Sequence, residues 1–361
     1  MTTANQDLSS GRTAGKHLVI QVLCFNEAQT LPDVLASIPT SIPGIDRIDV
    51  LVVDDGSTDD TATVARNHGV KAIVQHHMNR GVAAAFQTGL ETSIQLGADI
   101  IVNTDGDHQY PGSSIPQLIA PILARQADIV IGDRQTHQVA HFSSTKRALQ
   151  QLGSKIVSIA AGTTIPDAAS GFRALSREAA LRIQVVSTYS YTIETIIQAA
   201  KKGLRIAHIP IEPNLPTRES RLIRSMSSYV RRQALTILRV YVVYEPFRTF
   251  TFVSAPFLIV GSILILRFLI LYMLMATGVG RHVQSLVVGS MLLVVGMLIF
   301  LNGIIAHLVG ANRTLMEESL YRQKRAAATT NWAIDDASSQ PATESLSSVS
   351  AENTPHVVLR E

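Results

Sequence analysis

Asp105 and Asp107 stand one residue apart in "IIVNTDGDHQYPG" (residues 100–112), where an apolar run ends, and Gln109 follows closely. Like charges crowded at a strand end repel each other. Hard oxygen donors of this kind collect Mg2+ or Mn2+, whose remaining positions go to water and phosphate oxygens. An ion held there would stabilise a departing diphosphate as a Lewis acid. A second acidic pair, Asp54 and Asp55 in "VVDDGSTDDT", ends an earlier run. Either carboxylate suits a hydrogen bond from a base or ribose, or a cap on the next helix, for which Ser57 and Thr58 are the expected N-caps. Asn26 and Glu27 in "FNEAQT" belong to the same rim. Arg80 in "NRGVAAAFQTG" precedes a helix N-terminus, where a diphosphate is welcome. Asp167 in "PDAASGFR" and Glu194 in "YTIET" suit a grip on sugar hydroxyls, a base role or a purely structural part. His76, His77, His108, His137 and His141 lack the helical pairing of a zinc protease and read as loop residues, with His108 placed to touch a diphosphate. The single cysteine, Cys24, excludes an internal disulfide and a Cys-based zinc site, and reads as a buried strand residue.

The elements that must carry these groups alternate between His17 and about Ile211. "HLVIQVLCF" is a strand and "EAQTLPDVLASI" a helix; "RIDVLVVDDG" is a strand and "TDDTATVARNHG" a helix. "KAIVQH", "ADIIVNTDGD" and "ADIVIGDR" are further strands, with "VAAAFQTGLETSIQLG" and "SIPQLIAPILARQ" as helices between them. Apolar strands separated by helices predict an α/β, Rossmann-like, mainly parallel sheet with helices on both faces. Ligands in such sheets bind beyond the carboxyl ends of strands, where both acidic pairs fall.

Hydrophobic residues make up 46% of the 361, and only 16% are charged. The excess is concentrated in two runs of membrane-spanning length, at about 252–276 and 283–309, containing Gly261, Gly289 and Gly296. The connector "TGVGRHV" is short enough for a hairpin. Arg231, Arg232, Arg239 and Arg248 precede the first run; Arg313, Arg322, Lys324 and Arg325 follow the second. By the positive-inside rule the N-terminal part and the C-terminus are both cytoplasmic, in a two-span protein of the cell membrane. Arg267 inside the first span should snorkel, or face the partner helix or a polar ligand. The net charge of +3 does not suggest nucleic acid. Expected domains are a disordered 1–16, a catalytic domain over 17–217, an amphipathic juxtamembrane helix over 218–248, the hairpin over 249–311, a basic segment over 312–327 and a disordered tail over 328–361.

"FNEAQTL", "VVDDGSTDDT", "NRGVAAAFQTGL", "NTDGDHQYP", "IGDR" and "DAASGFRALSREA" occur in an order that resembles glycosyltransferase family 2. The likeness is strongest to the group containing dolichyl-phosphate mannose synthases and bactoprenol glucosyltransferases, and covers roughly residues 17–325. Leu23 stands where these enzymes often have proline. The resemblance implies a GT-A fold, inverting chemistry and a divalent ion. Asp105, Asp107 and Gln109 resemble the metal and donor-diphosphate ligands. Asn26, Glu27, Asp54 and Asp55 look like the donor side of the site, with Arg80 near the diphosphate. Arg134, with Lys146 or Arg147, resembles the basic residues that hold the acceptor phosphate; Arg218 and Arg221 in "TRESRL" are offered for the same part.

The expected reaction transfers mannose or glucose from GDP-mannose or UDP-glucose to polyprenyl phosphate, with the bilayer as a partner and a homo-oligomer as one possible assembly. A dinucleotide-dependent oxidoreductase is excluded because "CFNEAQT" lacks a glycine, and a P-loop nucleotidase because its motif is missing. A polysaccharide synthase would carry more spans and a Q-x-x-R-W motif. An inactive nucleotide-sugar-binding scaffold is the remaining rival.

Overall fold

The computed structural model describes residues 15–135, 153–159, 161–185, 191–214, 245–274 and 283–338, from 328 onward by backbone alone. Seven strands form one sheet: β1 (His17–Cys24), β2 (Arg47–Asp54), β3 (Ala72–Gln75), β4 (Ile100–Asp105), β5 (Ile129–Asp133), β6 (Arg173–Ser176) and β7 (Ile206–Pro210). Their order is β3-β2-β1-β4-β6-β5-β7. Only β6 runs antiparallel to its neighbours. The helices of this part are α1 (Leu31–Ser37), α2 (Thr61–Asn67), α3 (Val82–Gln95), α4 (Ile115–Leu123), α5 (Arg177–Arg182) and α6 (Thr192–Lys201).

Every residue of β1 is buried, as a strand covered on both faces requires. Side chains alternate between two apolar clusters, because successive strand residues point to opposite faces. Val19, Leu23, Leu51, Val53 and Ile101 meet α3, α5 and α6 on one face. Leu18, Ile20, Val22, Val52, Ile100 and Val102 meet α1, α2 and α4 on the other. In α3 the buried Ala83, Phe86, Leu90 and Ile94 recur at helical spacing and make its inner stripe. Gly89 lets this helix lie close to the sheet, since a β-carbon there would stand 2.6 Å from Gln21 Oε1.

Two long helices follow: α7 (Pro246–Leu274) and α8 (Val283–Ser338). Each contains a segment of mean hydropathy 2.5, only 6% and 11% buried respectively. A core helix of that length would be mostly enclosed, so both are long, apolar and exposed enough to cross a membrane. They pack antiparallel through small residues: a β-carbon on Gly261 would lie 3.0 Å from Gly289 O, and one on Gly296 2.8 Å from Leu258 Cδ2. Arg267 is exposed.

Two expected boundaries change. The helix containing the first apolar run begins at Pro246, and α8 continues to Ser338, eleven residues into the stretch expected to be disordered. The amphipathic helix expected over 218–248 falls outside the described residues up to 244, as do the hairpin connector and both extreme termini.

Candidate active site

The strand order reverses beside β1, which pairs with β2 on one side and β4 on the other. Cys24 is in register with Asp54, and Leu23 with Asp105. The two acidic strand ends therefore flank the carboxyl end of β1, the place where an open α/β sheet offers a crevice. Gly106 N donates to Leu23 O at 2.8 Å, and Asp55 N to Cys24 O at 2.8 Å, fixing both loops to the same strand. A β-carbon on Gly106 would come 2.8 Å from Cys24 Sγ, so glycine between the two aspartates is a packing requirement. Cys24 is buried as expected, and burial pushes its thiol well above the ordinary range.

Burial raises the pKa of Asp105 to about 7, with the Asp107 charge adding to it and Arg134 opposing it. This donor set is therefore short of positive charge, and two carboxylates of hard oxygens fit a divalent cation. Among the described residues no three His, Cys, Asp or Glu side chains converge as metal ligands. The fit thus depends on the aspartate pair, with substrate and water completing the shell. Gln109 donates its backbone N–H and side-chain Nε2 to Asp107, at 3.2 and 2.8 Å. It orients Asp107, and its carboxamide oxygen is the atom left for the ligand role expected of it.

The residues just before β6 also reach Asp105. A β-carbon on Gly171 would lie 3.0 Å from Asp105 Oδ2 and 2.8 Å from the Tyr191 hydroxyl oxygen. Gly171 is held there by Tyr110, whose hydroxyl accepts from its N–H at 3.0 Å, and by Asn103 Nδ2, which donates to its carbonyl at 2.8 Å. Asn103 Nδ2 also lies 2.9 Å from the Tyr191 hydroxyl, and the Tyr191 ring stacks on Phe86 at 4.0 Å. Arg173 is 1% exposed and donates to the carbonyls of Ala168, Ser170 and Thr192 and to the Thr195 hydroxyl. Burial pushes its pKa down to about 10. Asn103, Tyr110, Gly171, Arg173 and Tyr191 were not selected from the sequence. All five lie in stretches singled out for other residues: Gly171 and Arg173 in "SGFR", Asn103 and Tyr110 in "NTDGDHQYP", and Tyr191 in "YTIET".

Several residues expected to touch donor or acceptor are engaged by the protein itself. Asn26, in the left-handed region at φ 56°, accepts from Thr58 N at 2.7 Å through Oδ1, and its own N–H donates to Ser57 Oγ at 2.8 Å. Ser57 and Thr58 therefore join two loops and do not cap α2, which begins later, at Thr61. Asp54 accepts from Ser57 N at 2.9 Å and Gln75 Nε2 at 3.0 Å. Asp55 accepts from Arg80 N, Gly81 N and His76 Nδ1, at 2.9, 2.8 and 2.7 Å. The amides preceding α3 thus meet a protein carboxylate where a diphosphate was expected, because a buried Asp55 needs partners of its own. His76, in the loop that follows β3 as expected, is buried there as a partner of Asp55. Glu27 is buried and accepts from the Thr30 hydroxyl at 3.0 Å. Arg80 is exposed at the rim.

Arg134 forms a fork on Asp167, with Nε 2.7 Å from Oδ2 and an Nη 3.0 Å from Oδ1. Burial pushes the Asp167 carboxyl up, but the Arg134 charge and hydrogen bonds hold it below the ordinary range. A carboxylate so held is a poor base. Glu194 lies 3.5 Å from an Arg313 Nη of α8 and accepts from Gln198 at 3.2 Å, a structural placement. Asn214 donates N–H to Gln109 O at 3.0 Å and Nδ2 to His108 O at 2.9 Å, bracing the loop that carries Asp107. Lys146, Arg147, Arg218 and Arg221, with His137 and His141, lie outside the described residues.

Residues 19–183 match the family model described as glycosyl transferase family 2. A dolichyl-phosphate hexose transferase of Haloferax volcanii is 31% identical over 196 residues, 54% of this chain and 81% of its own. An undecaprenyl-phosphate mannosyltransferase of Micrococcus luteus is 26% identical over 197 residues, 52% of this chain and 79% of its own. A solved glucosyl-3-phosphoglycerate synthase of Mycobacterium tuberculosis overlaps 62% of this chain and 80% of its own, at 22% identity and a TM-score of 0.49.

Proposed function

Because the chain belongs to glycosyl transferase family 2 and is a glycosyltransferase, we propose that it transfers mannose or glucose from a nucleotide-sugar to a polyprenyl phosphate. The transfer inverts the anomeric centre, uses Mg2+ or Mn2+ and takes place at the cytoplasmic face of the membrane. The observation that carries this reading is the pair of acidic strand ends flanking β1 in a chain that continues into two apolar helices. The names of the two relatives, one with dolichyl and one with undecaprenyl phosphate, support the acceptor class.

In this reading Asp105 and Asp107, the latter oriented by Gln109, hold the cation, which when bound supplies positive charge to the departing diphosphate. An acceptor phosphate oxygen is already anionic near neutral pH. It attacks the anomeric carbon, the bond to the diphosphate breaks with its electron pair, and nucleoside diphosphate leaves. No side chain has to accept a proton, which agrees with the tethered state of Asp167. The protein's part is alignment and charge. Lys146, Arg147, Arg218 and Arg221 are the proposed contacts to the acceptor phosphate, where guanidinium forks match two oxygens; Arg134, whose fork is taken by Asp167, has only its other Nη to add. Asn26, Glu27, Asp54 and Asp55 shape the donor pocket by fixing its loops, and Arg80 borders it.

The test supplies full-length protein in vesicles with polyprenyl phosphate, Mn2+ and radiolabelled GDP-mannose or UDP-glucose. Label should enter the lipid fraction, with one nucleoside diphosphate released per transfer. EDTA and Asp107→Ala should each abolish it, the variant keeping its unfolding temperature. Donor binding without transfer would favour the inactive scaffold, and transfer surviving EDTA would remove the metal.

A further inference from the structure

The helix of the second apolar segment does not end where that segment ends. From Arg313 to Lys324 one face of α8 is fastened to the catalytic domain at four positions about one turn apart. Arg313 reaches Glu194 of α6 at 3.5 Å, and Glu317 pairs with Lys202 at 2.9 Å. Tyr321, 8% exposed, joins the apolar cluster of α3, α5 and α6. Its hydroxyl donates to Glu178 Oε1 at 2.9 Å, and the Arg182 guanidinium carbon stands 5.0 Å from its ring centre. Lys324 donates to Gln184 Oε1 at 2.7 Å and Glu91 Oε1 at 3.2 Å. On the opposite face Leu315 and Met316 are exposed. A basic segment that served only to flank a membrane span would not bury an aromatic ring in a separate core.

The clasped elements stand behind the acidic site. Tyr191 at the start of α6 stacks on Phe86 of α3 and hydrogen-bonds Asn103, whose strand ends in Asp105. One uninterrupted helix therefore runs from the apolar hairpin to the support of the site. We propose that this clasp is a positioning device: α8 fixes the height and tilt of the site over the bilayer, so the enzyme favours a phosphate presented by a membrane lipid over the same group free in water. The proposal rests on the lipid-phosphate acceptor given above. Tyr321 and Lys324 act here as positioning residues, with partners on α3, α5 and at Gln184, away from Asp105 and Asp107.

The experiment compares two acceptors at a fixed donor concentration: polyprenyl phosphate in vesicles and a short-chain, water-soluble prenyl phosphate. Tyr321→Ala and Lys324→Glu should each lower kcat on the vesicle acceptor about fivefold or more, with KM for the donor unchanged and transfer to the soluble acceptor within about twofold. Exchanging the charges in Lys324→Glu with Glu91→Lys should restore the vesicle rate to within about twofold. If Tyr321→Ala fails to fold, the charge-exchange pair decides. Equal losses on both acceptors, or no loss on either, overturn the clasp as a positioning device. Wild-type protein that glycosylates the soluble phosphate but never the vesicle lipid also overturns it. Wild-type protein that glycosylates neither overturns the acceptor reading itself, and the clasp with it.

Discussion

The Asp167 carboxylate is enclosed by the Arg134 fork, and the Ala169 amide donates to Oδ1 at 3.2 Å. Removing one partner of such a pair costs far more than the pair contributes, because the other charge stays buried and unmatched. Asp167→Asn should lower stability at neutral pH by about 3–5 kcal/mol, measured by denaturant unfolding in detergent. The sign of its pH dependence is fixed. The folded carboxyl lies below its ordinary 3.8, so the contribution is full above that value and lost as pH falls through the folded one. The gap between wild type and variant should therefore narrow as pH falls below 3.8; a gap that stays constant there would contradict the fork. Asn214 gives a second prediction at this scale. Asn214→Ala removes the Nδ2 bond to His108 O, a contribution of about 1 kcal/mol. The Mn2+ concentration for half-maximal activity should rise about fivefold, with KM for the acceptor unchanged; an unaltered metal titration would show that Asn214 does not brace the Asp107 loop. These two residues mark what the site lets a sequence reader see. Asp105 and Asp107 announce themselves because like charges at a strand end need a reason. Asn214 does not, since its importance lies in which carbonyls the fold brings within reach.

At the scale of elements, the first five strands are legible because a parallel sheet covered on both faces writes them as unbroken apolar runs. Their helices prove shorter than the patterns suggest: the stretch around "EAQTLPDVLASI" yields helix only from Leu31 to Ser37, and the residues before it form the loop stitched to Ser57 and Thr58. The antiparallel β6 has no such signature. It is four residues long and borrows its place from β4 and β5, so pairing across the sheet, and not its own composition, defines it. Small residues in the long helices are legible in type but not in partner. A β-carbon on Gly289 would stand 2.9 Å from Ile265 Cγ1 and 3.0 Å from Gly261 O, whereas one on Gly310 would meet nothing within 4 Å. Gly289→Leu should separate α7 from α8 and cost about 1–3 kcal/mol, while Gly310→Leu should be nearly neutral. Thermal unfolding in one detergent checks both, and equal shifts would mean that close helix packing is not what Gly289 provides.

For the whole molecule, the arrangement of charge about the apolar hairpin bears on which side of the membrane the proposed transfer takes place. Arginine and lysine gather before α7 and along α8 after Val309, and only Arg281 lies in the connector. Under the proposed insertion, the positive-inside rule keeps the more basic flanks on the cytoplasmic side. The catalytic sheet is bound to that same end by the ion pairs of Arg313, Glu317 and Lys324, so sheet and basic flanks share one compartment. The single native thiol makes this directly measurable, because Cys24 is buried and its thiolate is suppressed, leaving a quiet background for an impermeant maleimide. In sealed cells Arg281→Cys should be labelled from outside and Leu315→Cys only after the membrane is opened. The reverse pattern would place the acidic site on the outer face, where cytoplasmic nucleotide-sugars do not reach it. Labelling of both from outside would mean that the two helices lie against the bilayer without crossing it. Either result leaves the family assignment standing but removes the cytoplasmic transfer to a lipid phosphate, because that reaction needs donor, acceptor head group and Asp105 on the same side.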